Sequence, residues 1–154
     1  MAATDPRRRS GVIVVDVNAI AYLLIAGEKT AEARAMRDLD ADWLVPDLWR
    51  DEFLNILSAY VRHGGTSLET ATALWLSAVA QFEGKDTTAD PITTLQLAAR
   101  HQLSAYDAQY LVVAIDRDVR LITEDKAMLK AVPQRCMTMR DFIADATGAL
   151  TTLA

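Results

Sequence analysis

Four acidic residues, Asp16, Glu52, Asp107 and Asp125, occupy positions from which carboxylates can meet to hold divalent cations. Asp16 directly follows the apolar run Val12 to Val15, which reads as a buried strand, so the acid falls at that strand's carboxyl end. Glu52 lies in the first turn of a helix just after a second short strand. It stands four residues before Ile56, at the flank of an apolar stripe. Asp107 falls in the first turn of a helix opened by Ser104 and flanks its apolar stripe through Leu111. Asp125 follows a strand spanning Arg120 to Thr123. Four carboxylates meeting at one sheet edge repel strongly unless cations are present. Hard oxygen ligands of this type select Mg²⁺ or Mn²⁺ over zinc. Such ions activate water and stabilise charge building on a phosphate, with no need for a histidine base or a covalent nucleophile.

Each acid also has a plainer reading. Asp16 can cap the helix that follows it, and Asn18 can cap equally well or hydrogen-bond a metal-bound water. Glu52 can be a favourable charge at the positive end of its helix, at ~0.3–1 kcal/mol. Ser104-Ala-Tyr-Asp107 reads as a capping box, and Thr123-Glu124-Asp125-Lys126 as strand end, turn and cap, with the Thr123 hydroxyl in the same place. The case for a metal site therefore rests on convergence of the four.

The elements that must bring them together alternate along the chain. Val12 to Val15 and Trp43 to Val45 read as strands, the second ended by Pro46. Phe53, Ile56, Leu57, Tyr60 and Val61 fall at helical spacing, and Gly64 and Gly65 stop that helix. Ser67 opens another, with Leu68, Ala71, Trp75, Ala78, Val79 and Phe82 as its apolar face. Asp90-Pro91 is a cap followed by proline at the first helical position, starting a helix to about Gln102. The helix after Ser104 carries Ala108, Leu111, Val112 and Ile115 on one face. A strand at Arg120 to Thr123, a short helix from about Lys126, a strand at Cys136 to Met139 and a weakly helical tail complete the chain. The order implies an α/β fold with parallel strands and helices on both faces, whose sites form at the carboxyl ends of the strands.

With 154 residues, 51% apolar and 24% charged, the chain has the size of one domain with a full core. We divide it into a tail over 1–11, a domain over 12–147 and a tail over 148–154. The net charge of −5, from 16 basic and 21 acidic residues, is unusual for a protein that binds a polyanion. Setting the four candidate ligands aside leaves 17 acids against 16 bases, so most of the surplus is the site itself. The single cysteine, Cys136, offers no internal disulfide and no metal-ligand spacing, which fits a reducing cytoplasm. The apolar run after Arg7, Arg8 and Arg9 is interrupted by Asp16 and Asn18 and lacks a cleavage site. It is shorter than the ~20 residues of a spanning helix, so it reads as strand and helix, with no membrane segment.

The segments Val14-Val-Asp-Val-Asn18, Asp51-Glu52-Phe-Leu-Asn-Ile-Leu57, Ala105-Tyr-Asp-Ala-Gln-Tyr-Leu111 and Leu121-Ile-Thr-Glu-Asp125 resemble the PIN-domain motifs, in order and at family-like spacing. The resemblance covers about Val12 to Ile143, and the third segment looks especially like toxins of the VapC type. It implies a five-stranded parallel sheet flanked by helices and a Mg²⁺- or Mn²⁺-dependent endoribonuclease. Asp16, Glu52, Asp107 and Asp125 would be the metal ligands, supported by Asn18 and Thr123. It further implies an RNA substrate, a cognate DNA-binding antitoxin of the VapB type and a homodimer. The Arg-rich start is longer than many members carry.

Three other readings compete. A housekeeping RNA-processing nuclease would keep the fold without an antitoxin. A receiver-type signalling domain would want an acidic neighbour for Asp16, and a phosphatase of the haloacid-dehalogenase kind a second aspartate where Asn18 stands. Among other residues, His63 reads as a helix C-cap, and Trp43, Trp49 and Trp75 as core or interface. Arg50, Arg62, Arg117 and Lys126 are candidate phosphate contacts.

Overall fold

The computed structural model describes residues 11–40 and 42–152. The first half runs β1 (Ile13–Val15), α1 (Val17–Leu24), α2 (Thr30–Leu39), β2 (Trp43–Pro46), α3 (Trp49–Arg62) and α4 (Leu68–Gln81). The second runs β3 (Asp86–Thr87), α5 (Pro91–His101), α6 (Ala105–Arg117), β4 (Leu121–Ile122), α7 (Lys126–Ala131), β5 (Cys136–Met137) and α8 (Met139–Thr152). The arginines at 7–9 lie outside the described residues.

All five strands are parallel, in the order β3-β2-β1-β4-β5. Strand side chains alternate between two cores, as a pleated strand requires. Ile13 and Val15 of β1, Trp43 and Val45 of β2, Ile122 of β4 and Met137 of β5 join one core, which also takes Phe53 of α3 and Ala71 of α4. Val14, Leu44, Leu121 and Cys136 join the other, with Leu97 of α5 and Leu111 of α6. Strands β1, β2, β4 and β5 are therefore covered on both faces, and the fold is the expected three-layer α/β arrangement. The chain builds outward from β1 to β2 and β3, then returns to place β4 on the other side of β1. That reversal puts the topological switch point between β1 and β4.

Local signals account for most boundaries. Ser67, Asp90 and Ser104 cap α4, α5 and α6, each accepting from a backbone N–H three residues on. Helix α3 ends at its His63 cap, where Gly64 takes a positive φ of 74° and the Gly65 N–H reaches back to the Tyr60 carbonyl at 2.8 Å. This left-handed closure is the reason for glycine at 64.

Two elements were not expected from periodicity. Helix α2 buries only Thr30, Ala33 and Met36, a stripe too small and too interrupted by charge to stand out. Strand β3 is two polar residues long, held as an edge through Val45 N–H to Lys85 O and Asp47 N–H to Thr87 O. The residues alone indicated four strands, and the fifth came from the family resemblance. The last helix is also longer than a weakly helical tail. It is held at its start by Glu124, which accepts from Met139 N–H, and it runs through Thr152 across the assigned boundary at 148. Leu68, assigned to a buried face, is 72% exposed, because α4 packs through Ala71, Ala78 and Phe82 instead. Among the described residues no helix is long and apolar enough to cross a membrane.

Candidate active site

Strand ends and helix starts carry the four acids to the carboxyl edge of the sheet. Asp16 follows β1, and Thr123 and Asp125 follow β4. Helix α3 begins just beyond β2, so Glu52 in its first turn lies at the same edge. Helix α6 leads into the start of the parallel strand β4, so its own start, with Asp107, lies at the carboxyl edge too.

Asp16 is only 7% exposed and stands at the switch point. Its Oδ1 accepts from the Asn18 N–H at 2.7 Å, so it caps α1. Its Oδ2 accepts from the Thr123 hydroxyl at 2.6 Å. The Thr123 oxygen in turn accepts from the Asp125 N–H at 3.0 Å. One buried hydroxyl thus ties the ends of the adjacent strands β1 and β4. Burial pushes the Asp16 carboxyl above its ordinary value. The Thr123 hydroxyl and the backbone N–H groups of Asn18 and Ala19 pull it down, and the charge of Asp107 adds to the rise. Asn18 itself is exposed beside this pair.

Glu52 is half-buried, and its Oε1 accepts from the Tyr110 hydroxyl at 2.7 Å. Burial raises its carboxyl, the Tyr110 hydrogen bond lowers it, and Asp16 and Asp107 raise it further. Burial also raises Asp107, against the Ser104 hydrogen bond and with help from Asp125. Asp125 is exposed and caps α7 by accepting from the Met128 N–H at 2.9 Å. Capping is therefore real at Asp16 and Asp125. It does not use up their acceptor capacity, since each carboxylate oxygen has two lone pairs.

The electrostatic couplings link Asp16 with Glu52 and Asp107, Glu52 with Asp107, and Asp107 with Asp125. None of the four pairs with a Lys or Arg among the described residues. Among those residues, too, no three His, Cys, Asp or Glu side chains are drawn close enough to share one ion. Asp16, Glu52 and Asp107 feel one another's charge, and Asp107 that of Asp125, without the four closing into a shell. The donor set still fits a hard divalent cation. It consists of carboxylate oxygens, three of them raised by burial, with neutral hydroxyl and amide donors as their hydrogen-bond partners.

Tyr110 was not assigned a role from sequence. The signal for it is slight: a polar tip three residues after Asp107 on an otherwise apolar helix face, hence on the same side. Burial, Glu52 and Asp16 all push its phenol strongly upward, so it is held as a donor. Of the candidate phosphate contacts, Arg50 is tied to Asp86 at 2.9 Å. Arg117 ends α6 just before β4, at the opposite end of the sheet, and Arg62 ends α3 at the turn into α4. Lys126 alone of these stays exposed at the carboxyl edge, beside Asp125. Cys136 is buried, its thiol pushed up to about 11, which keeps it unreactive.

No curated protein matches the chain. Among solved structures it is similar to PAE2754 from Pyrobaculum aerophilum, at 21% identity and a TM-score of 0.71 over 90% of this chain and 98% of that one. It is also similar to FitAcB from Neisseria gonorrhoeae, at 15% identity and a TM-score of 0.66 over 83% of this chain and 98% of that one. At these identities the likeness is one of fold. The PIN domain model matches residues 13–133, from the first residue of β1 to just past α7. The chain belongs to the PIN domain family of nucleases.

Proposed function

We propose that this chain is an endoribonuclease toxin of the VapC type. It would hydrolyse RNA phosphodiester bonds with Mg²⁺ or Mn²⁺ held by Asp16, Glu52, Asp107 and Asp125. The observation that carries the reading is the gathering of four carboxylates at the carboxyl edge of the sheet by strand exits and helix starts, none of them paired with a Lys or Arg among the described residues. A divalent ion, when bound, supplies activation of water and stabilisation of charge on the phosphate. The chain's own residues do the rest. Asp16 is the buried anchor, its carboxylate fixed from two sides by Asn18 N–H and the Thr123 hydroxyl. Thr123 keeps the β1 and β4 ends in register, and Asn18 offers an exposed amide beside them. Lys126 offers a charge to a substrate phosphate.

A DNA-binding antitoxin and a second copy of the chain are the partners of this reading. Exposed apolar side chains give them something to cover: Leu54, Leu68 and Leu76 on α3 and α4, and Ile92 and Leu95 on α5. The test is cleavage of total RNA with Mg²⁺ or Mn²⁺ and with chelator, by the natural chain and by Asp16→Asn. Cleavage should need the ion and fall by ~100-fold or more in the variant, at least the loss typical of disturbing a metal ligand's surroundings. Normal cleavage by a folded D16N chain would sink the proposal. A growth-arrest assay with D16N tests the toxin role in the same way.

A further inference from the structure

The carboxyl edge holds a part-buried side-chain hydrogen bond that joins the two faces of the sheet. Glu52 belongs to α3, whose Trp49, Phe53 and Leu57 pack into one core. Tyr110 belongs to α6 and packs into the other, at 2% exposure. A hydrogen bond between helices on opposite faces can form only past the ends of the strands. The Tyr110 hydroxyl makes that crossing and donates to Glu52 Oε1 at 2.7 Å. It is the sole hydrogen-bond donor to the Glu52 carboxylate among the described residues, and it leaves Oε2 without one. Asp16, by contrast, is held on both oxygens and rooted at a strand end. Glu52 has a longer side chain, sits on a helix and has this single tether.

We propose that Tyr110 is the positioning residue for Glu52: its phenol reaches across the sheet edge to hold one carboxylate oxygen, so that the other is presented to a divalent cation. The inference rests on the metal-dependent reading above. Helix α6 then serves the site twice, through Asp107 itself and, one turn later on the same side, through Tyr110 acting on Glu52. A hydrogen bond to a metal ligand fixes its orientation, and removing such a partner typically costs about 10–100-fold in metal affinity or activity.

The experiment is Mn²⁺ binding to the full chain, followed by electron paramagnetic resonance of free Mn²⁺. The four arms are the natural chain, Tyr110→Phe, Glu52→Ala and the double variant. Tyr110→Phe keeps the ring in its pocket and removes only the hydroxyl. Expected is about tenfold weaker Mn²⁺ binding in Y110F and no further weakening when Y110F is added to E52A. RNA cleavage by Y110F should show a lower kcat with KM unchanged. If Y110F binds Mn²⁺ like the natural chain, or if the two losses multiply, Tyr110 does not act through Glu52 and the inference is overturned, while the nuclease reading stands. If the natural chain binds no Mn²⁺, the metal reading falls and takes this inference with it. Glu52→Asp guards against a fold defect in Y110F. It withdraws the carboxylate from the phenol by one methylene with the Tyr110 pocket untouched, and Mn²⁺ affinity as in the natural chain would also overturn the role.

Discussion

The two edges of the sheet use the same residue types to opposite ends. At the amino edge, Asp42 just before β2 takes Lys85 just before β3, with Nζ to Oδ1 at 2.6 Å. Asp118 before β4 takes Arg135 before β5 at 3.1 Å. Each pair ties the entries of neighbouring strands and cancels its own charge. At the carboxyl edge the exits of β1 and β4 are tied by a neutral hydroxyl, Thr123, and Asp16, Glu52, Asp107 and Asp125 have no Lys or Arg partner among the described residues. Even Glu124, next to Asp125 in the chain, is paired with Lys29 at 3.3 Å, so cations are at hand and are directed elsewhere. Unneutralised carboxylates are costly when half-buried. Under the proposed function these carboxylates take their counter-charge from a bound divalent ion, whereas Asp42, Asp86, Asp118 and Glu124 take theirs from Lys or Arg of the chain itself.

The largest expected effect tests that asymmetry through stability. The carboxyls of Asp16, Glu52 and Asp107 lie above their ordinary values in the folded chain, with burial the leading cause in each. In the window above those ordinary values the folded chain holds more protons than the unfolded one, so stability falls as pH rises. The contribution is intact below about pH 4, the ordinary carboxylate range, and is lost as pH climbs through the raised folded values. A bound divalent ion should reverse the trend. At a Mn²⁺ concentration ~100 times its Kd the gain is about 2.7 kcal/mol, or roughly 5–10 °C in Tm for a chain of this size. Thermal unfolding across pH, with chelator and with Mn²⁺, measures both. Curves that coincide with and without the ion would erase the distinction between the edges.

A smaller effect sharpens the carboxyl edge from its positive side. Lys126 is exposed at the first position of α7, with no ion partner among the described residues. Lys126→Ala should raise the KM for RNA a few-fold and leave kcat nearly intact. It should also flatten the salt dependence of binding by about 0.7 in logarithmic slope, the share of one phosphate contact on a single strand. An unchanged salt slope would remove Lys126 from the substrate path.

How much of this was legible in the sequence depended on whether a feature is local. The caps at Ser67, Asp90 and Ser104 and the glycine stop after α3 act within a few residues, and the chain folds there as its local signals direct. The β-branched run of β1 and the placement of Asp16, Glu52, Asp107 and Asp125 after strands or in first turns were legible for the same reason. Helix α2 and strand β3 were not, because α2 buries only three residues among charges and β3 exists only through pairing with β2. Leu68 followed helical periodicity and still faces outward, since periodicity finds a face without saying how far along it the neighbours reach. The Glu52–Tyr110 contact spans 58 residues and two faces of the sheet, so nothing local announces it. The switch point also emerged only with the strand order, and it accounts for the buried position of Asp16.

The smallest effect is expected at the amino edge. Arg135 is about one-quarter exposed and Asp118 two-thirds, and Arg135 also donates to the Val119 carbonyl at 3.2 Å. Water screens such a pair, and its formation restricts a long side chain, so it contributes ~0–1 kcal/mol. Arg135→Ala should therefore lower Tm by no more than a few degrees. Because the β5 entry lies at the far end of the sheet from Asp16 and Glu52, Mn²⁺ affinity and RNA cleavage should stay as in the natural chain. The two edges would then separate cleanly, one tuned for stability and the other for an ion. A large loss of cleavage in a folded R135A chain would mean that the amino edge also serves the reaction, and that the division drawn from the ion pairs is wrong.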